Sequence, residues 1–362
     1  MKTLKQKICI ALVLTLTLSM AACGKSQNPV MDIPTQSIET SNVPESTMEN
    51  INSLDANVTE NEVTYPVTIT DHLGRNVIIN KEPETIVSGY YISTSLLIAL
   101  GLEDLIVGVE AKADKRTIYS LSAPQIIELP SVGSAKDFDL EGCVALHPDL
   151  IILPAKLKDA VSALEELGFT VLAVNPENQK LLYETAEMIS TATNTVSQEA
   201  NWQNFVLESL NTLAAAVKNT TAPTVYLAGN SSLLSTASAG MYQNTLIENA
   251  GGKNVAAEIA DTYWTEISYE QLLTWNPDVI VLASDATYTI DSVLSDPNLA
   301  ALKAVQDGQV YQIPGHMEAW DSPVPGSFLG SLYLASVLHP SEYTTEEYEN
   351  TVTAFYKEFY GF

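Results

Sequence analysis

Residues 139–153 read DLEGCVALHPDLIIL, and residues 268–282 read SYEQLLTWNPDVIVL. Each begins with a good helix-capping residue, places a glutamate two positions later, and reaches Pro-Asp followed by an apolar run. Asp139 and Ser268 are 129 residues apart, as are Glu141 and Glu270, so the two copies keep one register. Each copy predicts a short helix, capped by Asp139 or Ser268 and ended near Pro148 or Pro277, that feeds a buried strand. In a β-α-β unit such a helix starts at the level of the strands' carboxyl ends, the edge where α/β lobes bind ligands. A glutamate there opposes the positive helix start, which is worth about 0.3–1 kcal/mol. That accounts for one glutamate better than for a matched pair.

The surrounding sequence repeats the same grammar. TIVSGY at 85–90, LIVGV at 105–109, DLIIL at 149–153 and TVLAV at 170–174 alternate with helical patterns, after an entry hairpin at VTITDHLGRNVIIN. The pattern restarts with TVYLAG at 224–229, DVIVLAS at 278–284 and QVYQIPG at 309–315. Apolar strands alternating with helices predict parallel sheets covered on both faces. The fold class expected is α/β, with two Rossmann-like lobes of parallel sheet, a single long α-helix joining them, and a ligand cleft between. The joining helix is the stretch 195–218, in which Trp202, Phe205, Val206, Leu210, Leu213 and Val217 recur at helical spacing and no Gly or Pro intervenes. Thr195 and Gln198 have the spacing of a capping box. A helix of this length is a stiff spacer, so large domain closure is not expected.

The N-terminus carries Lys2, Lys5 and Lys7, then ICIALVLTLTLSM, then Ala21, Ala22 and Cys23: charged, apolar and small-residue regions in the order of an export signal. The Cys after the small residues resembles a bacterial lipobox, with Met20 where Leu is usual, and implies a diacylglycerol on Cys23. Residues 24–63 are polar and unperiodic, a tether that cannot bury enough apolar surface to fold. The organisation expected is therefore 1–22 signal peptide, 23–63 lipidated Cys and disordered tether, 64–194 N-terminal lobe, 195–218 connecting helix and 219–362 C-terminal lobe. Of three cysteines only Cys143 stays in the folded body, so no internal disulfide can form. The formal charge is −27, and without the signal lysines 14 basic residues face 44 acidic ones, which excludes nucleic acid as a partner.

The ordered set of the hairpin, IVSGYYISTSLLIALGLEDLIVGV, the twin glutamate and Pro-Asp motifs, NAGGKNVA and VQDGQVYQIP resembles the helical-backbone class of ABC-importer solute-binding proteins, from about residue 64 onward. The resemblance implies a monomeric, extracytoplasmic, membrane-anchored receptor. Its partners would be a permease dimer with its ATPase and a metal chelate of ferric siderophore, haem or cobalamin type. By motif position Glu141 and Glu270 would dock onto the permease. The alternative in the same fold is a molybdate or tungstate oxoanion.

Positions just past strand ends offer Tyr90, Tyr91, Lys136, Lys156, Asn230, Trp264, His316 and Trp320 as ligand residues. No catalytic residue, resident cofactor or protein metal site is expected. The four histidines are scattered, and neither a GxSxG elbow nor a phosphate loop occurs, which disfavours a surface-anchored enzyme. Arg75 and Arg116 are the only arginines, so no arginine triad marks a carboxylate-rich ligand.

Overall fold

The computed structural model describes residues 62–259 and 264–362. The expected signal peptide, Cys23 and the expected tether up to residue 61 lie outside the described residues. Chain order begins with the hairpin β1 (Val67–Thr70) and β2 (Asn76–Ile79), then β3 (Ile86–Ser88), α1 (Tyr91–Ala99), β4 (Ile106–Val109) and α2 (Thr117–Ser122). A small ribbon follows, β5 (Gly133–Ser134) and β6 (Asp137–Phe138), then α3 (Leu140–Ala145), β7 (Leu150–Pro154), α4 (Lys158–Glu166), β8 (Val171–Val174) and α5 (Gln179–Thr193). The long helix is α6 (Val196–Val217). Beyond it come β9 (Thr224–Ala228), β10 (Ser235–Ala237), α7 (Tyr242–Asn249), β11 (Lys253–Asn254), β12 (Trp264–Glu266), α8 (Tyr269–Trp275) and β13 (Val279–Leu282). The chain finishes with α9 (Ile290–Leu294), α10 (Lys303–Gln306), β14 (Val310–Gln312), α11 (Phe328–Leu338) and α12 (Thr345–Tyr360).

The first lobe's sheet has the order β4-β3-β7-β8, all parallel. In the second lobe β9, β13 and β14 run parallel, and β10 and β12 add an antiparallel edge. β3 and β9 are the first strands of their sheets, and each has neighbours on both sides. The crossovers therefore leave in opposite directions, and the crevice opens at the carboxyl ends of β3 and β7 and of β9 and β13.

The repeated motif is fixed by the same contacts twice. Asp139 Oδ1 accepts from the Gly142 N–H at 2.8 Å, and Ser268 Oγ accepts from the Gln271 N–H at 3.2 Å. His147 and Asn276, the residues before the two prolines, are both left-handed, with φ of 48° and 42°, which ends each helix and turns the chain into its strand. Asp149 Oδ2 then accepts from the Glu84 N–H at 3.0 Å and the Thr85 hydroxyl at 3.2 Å. Asp278 Oδ2 accepts from the Thr224 N–H at 2.8 Å and its hydroxyl at 2.7 Å. Each aspartate thus pins the start of the central strand beside it. Lys81 and Lys303 complete the clamps at 3.0 and 3.1 Å.

Strand side chains alternate between two cores. Val87, Ile151, Leu153, Val171 and Ala173 face outward with Cys143 and Leu164, while Tyr226, Ala228, Ile280 and Leu282 do the same in the second lobe. Burial pushes the Cys143 thiol up to about 11, so it is inert. The inward residues, Ile86, Ile152, Leu172, Val225, Leu227 and Val281 among them, join one continuous apolar cluster shared by both lobes. The long helix lays one face, with Trp202, Val206 and Leu213, on that shared core. Trp202 is edge-on to Tyr183 of α5 at 5.6 Å and donates its indole N–H to the Pro325 carbonyl at 3.3 Å; Phe205 meets Phe355 and Phe359 of α12. α12 in turn reaches back to the first lobe, where the Tyr360 hydroxyl donates to the Ser95 carbonyl at 3.3 Å. The expected capping box on α6 does not form: Thr195 Oγ1 lies 2.9 Å from Thr193 Oγ1 instead and makes no cap.

The clamp and the glutamate of each motif separate on mutation. Asp278→Ala removes the acceptor of two hydrogen bonds at a strand start and is expected to lower unfolding free energy by about 1–3 kcal/mol in urea titration. Glu270→Ala, on an exposed side chain, is expected to stay within about 0.5 kcal/mol.

Candidate functional site

In the first lobe the cleft edge is built from a buried carboxylate. β4 ends at Val109, and Glu110 follows with its side chain inside the protein. Its Oε1 accepts from Arg116 Nε and from the Tyr119 hydroxyl, both at 3.0 Å, and its Oε2 accepts from the Thr94 hydroxyl at 2.7 Å. Charge-assisted bonds of this kind hold a guanidinium in one orientation. Arg116 is further fixed by the face of Tyr91, 4.4 Å from its Cζ. Its side chain is 34% exposed, and its terminal nitrogens have no protein partner among the described residues. Arg75 is consumed differently, by the buried Asp71 and by Glu165 under the hairpin.

Tyr90 and Tyr91 meet edge to face at 5.2 Å where β3 gives way to α1. Burial raises both phenols above their ordinary range. For Tyr91, Ser322 of the other lobe and Arg116 offset part of that rise, and Asp321 and the exposed Glu177 add to it. Asp321 is buried and bonded to Ser284 just past β13, through the Ser284 N–H at 3.1 Å and its hydroxyl. Burial raises the Asp321 carboxyl, and the Ser284 donors partly offset that.

The rest of the second lobe's edge is aromatic. Trp264 is 40% exposed, and its ring lies so close over Gly229 that a Cβ there would come within 2.9 Å of the indole. Glycine at the end of β9 is what admits the ring. The Tyr288 hydroxyl donates to the Gly229 carbonyl at 2.6 Å.

Of the residues proposed from sequence, Tyr90, Tyr91, Asn230 and Trp264 lie at or just past these strand ends, with Asn230 exposed beside Gly229. Lys136 is exposed in the β5–β6 turn and Lys156 just beyond β7, and neither has an ion-pair partner among the described residues. His316 is exposed in the loop 313–327. Trp320 must be corrected: it is 2% exposed, and its indole N–H donates to the Tyr356 hydroxyl at 2.9 Å, so it fills the core beneath that loop. Arg116, Glu110, Ser284, Asp321 and Ser322 were not singled out. The rule that found Tyr90, the position just past a strand end, applies equally to Glu110 after LIVGV and to Ser284 after DVIVL. Among the described residues no cluster of three or more His, Cys, Asp and Glu is arranged to hold a metal ion.

Glu141 and Glu270 are exposed at the second positions of α3 and α8, on the carboxyl side of their sheets. The backbone at its own position and Ser268 hold the Glu270 carboxyl below its ordinary value.

The family model described as periplasmic binding protein matches residues 86–317. The molybdate-binding protein MolA of Haemophilus influenzae is 24% identical over 321 residues, covering 81% of this chain and 88% of that protein. Its molybdate-bound crystal structure superposes with a TM-score of 0.70 at 23% identity, over 81% of this chain and 98% of that one. A periplasmic solute binding protein from Veillonella parvula gives 0.72 at 22% identity, over 82% and 93%. A vitamin B12-binding protein of Salmonella typhimurium is 25% identical over 196 residues, 54% of this chain and 70% of that protein. With two α/β lobes, a shared core and a cleft at facing strand ends, the chain belongs to the periplasmic binding protein family, the solute-capturing components of ABC transporters.

Proposed function

We propose that this protein is the lipid-anchored receptor of an ABC importer and that its cleft takes a compact anion of the molybdate or tungstate kind. The observation that carries the ligand reading is Arg116, a guanidinium oriented by Glu110 and Tyr91 with both terminal nitrogens left over at the cleft edge. Oriented N–H donors recognise oxygen acceptors, and planar forks suit oxoanions. The Tyr91 and Ser322 hydroxyls add neutral donors, and Lys136 and Lys156, past strand ends of the same lobe as Arg116, add positive charge with no ion-pair partner among the described residues. Ser322 of the second lobe is near enough to lower the Tyr91 phenol, and two lobes this close at the cleft edge favour a small occupant over a bulky one. A metal chelate is the second reading. The exposed face of Trp264 and the Tyr90–Tyr91 pair favour it, because flat aromatic faces suit a large, partly apolar ligand.

The ligand reading is tested by calorimetry and native mass spectrometry with molybdate, tungstate and sulfate, set against haem, cobalamin and ferric siderophores. Arg116→Ala is expected to weaken oxoanion binding by roughly 30-fold or more, with Arg116→Lys between it and wild type, since an ammonium lacks the fork. Tight binding of a chelate, with no response to any oxoanion, would transfer the function to the second reading.

Binding proteins of this family hand small ligands to an ABC permease with its ATPase. Glu141 and Glu270 are proposed as the permease contacts, since they are exposed, matched between lobes and spent on no clamp. One exposed charge contributes little, with a median near 0–1 kcal/mol, so both must be changed. Glu141→Lys with Glu270→Lys is expected to abolish uptake by the assembled transporter while ligand affinity stays near wild type. If uptake survives and the melting temperature falls, both residues serve only their helix starts. The anchor is checked by metabolic labelling with a clickable fatty acid: the label is expected in wild type and absent from Cys23→Ala.

A further inference from the structure

One buried acid beneath the cleft has no part in the ligand reading. Glu318 is 6% exposed and sits in the loop 313–327, three and four residues before Asp321 and Ser322. Three segments pack against it. From α12 the Tyr356 hydroxyl donates to Glu318 Oε2 at 3.3 Å, having accepted the Trp320 indole N–H at 2.9 Å. From its own loop the Gly326 backbone acts on the carboxyl, and a Cβ on Gly326 would lie 2.6 Å from Oε2, so the main chain approaches this closely only as glycine. From α1, across the lobe boundary, the Ser95 side chain acts on the same carboxyl, as does Tyr360, whose hydroxyl donates to the Ser95 carbonyl. Ser95 also interacts with Tyr119, which bonds Glu110 and so Arg116. The titratable groups facing Glu318 are therefore Tyr356 and Tyr360, with Tyr119 and Glu110 beyond Ser95. Glu318 forms no ion pair among the described residues, and its Oε1 has no hydrogen-bond partner there.

We infer that Glu318 is a positioning residue that works as a neutral acid: it clasps the cleft loop to helix α12, whose Tyr360 bonds helix α1 of the other lobe, and its ionisation loosens the clasp. A carboxylate at this depth without a cation is strongly disfavoured, whereas the protonated form carries no charge and still accepts from the Tyr356 hydroxyl. Burial accordingly pushes Glu318 up from 4.5 to about 7, with Tyr356, Gly326 and Ser95 offsetting part of the rise. Between those values the folded protein keeps a proton that the unfolded chain has released. The stabilisation is therefore complete below 4.5 and is lost as pH rises through about 7. The inference rests on the ligand reading only for its effect on binding; the clasp itself belongs to the ligand-free fold.

The test is thermal melting of the ligand-free protein between pH 5 and pH 8, comparing wild type with Glu318→Gln. Wild type is expected to lose roughly 5–10 °C more than the variant, whose amide is neutral throughout and still accepts from Tyr356. Glu199 on α6, also buried and raised to about 7, contributes the same slope to both proteins and cancels in the comparison. Equal slopes overturn the inference. Should Glu318→Gln fail to fold, wild-type tryptophan emission is read instead. The wild-type signal minus that of Trp320→Phe isolates Trp320 from Trp202, which lies on α6 with Glu199: a difference that titrates near 7 supports the clasp, and a difference that is flat with pH overturns it. Failure of every candidate ligand leaves these ligand-free measurements unchanged, so the two readings fail separately.

Discussion

The architecture hangs on one contact made twice, an aspartate clamping the residue where the neighbouring central strand begins. Asp149 on Thr85 and Asp278 on Thr224 set the register of β7 against β3 and of β13 against β9. Once register is fixed, the carboxyl ends of those strands are fixed too, which is where Tyr90 and Lys156 of one lobe and Gly229 and Ser284 of the other are found. The helices before β7 and β13 must then start on the same rim, so their second residues, Glu141 and Glu270, have no freedom to lie elsewhere. Most of the repeated motif is thus explained by folding: the cap, the left-handed residue before proline and the clamp each satisfy a backbone need. The glutamates are the part that folding leaves without an essential task.

A two-lobed protein with only one covalent connection could still hinge freely. Two features oppose it. The inward faces of both sheets drain into a single apolar cluster, and moving the lobes apart would expose it to water. α12 also crosses the boundary, with Phe355 and Phe359 against α6 and Tyr360 against α1. The lobes are therefore joined by α6 in the chain and by α12 through packing. Both features oppose a wide hinge, and the loop 313–327, which carries polar groups at the cleft edge, is held from below by Glu318 and Trp320.

The sequence made the central parallel strands legible because alternation between two buried faces demands near-continuous apolar runs, which Val, Ile and Leu largely supply, whereas the short antiparallel edge of β10 and β12 left no such run. The long helix was equally plain, since Trp202, Val206 and Leu213 keep helical spacing and all are buried. Side-chain roles past the strand ends were less so. Trp320 has the composition of a ligand aromatic, but its indole N–H finds Tyr356 in the core, a partner 36 residues away that no local pattern reveals. Arg116 stayed hidden for the opposite reason. A lone arginine carries no signal until Glu110 after β4 and Tyr91 of α1, drawn from separate elements, are seen to converge on it. The capping box at Thr195 failed because Thr193 offers the hydroxyl a nearer partner.

Charge at the cleft makes a final distinction between attraction and recognition. The chain carries −27 formally, yet Lys112, Lys115, Arg116, Lys136 and Lys156 all fall in segments past strand ends of the first lobe. At physiological ionic strength fields fade over about 8 Å, so the distant acidic surface does little to repel an anion already at the cleft, and the local groups decide. Among these, Glu110 cancels the formal charge of Arg116, which weakens its bulk pull on an anion. What survives is direction: a fixed fork of N–H donors beside Tyr91. Asp321 already accepts from Ser284, and the exposed Glu177 is well solvated. Selectivity on these terms follows the geometry of a ligand's acceptor oxygens more than its net charge, which separates a tetrahedral oxoanion from a halide that lacks the matching oxygens.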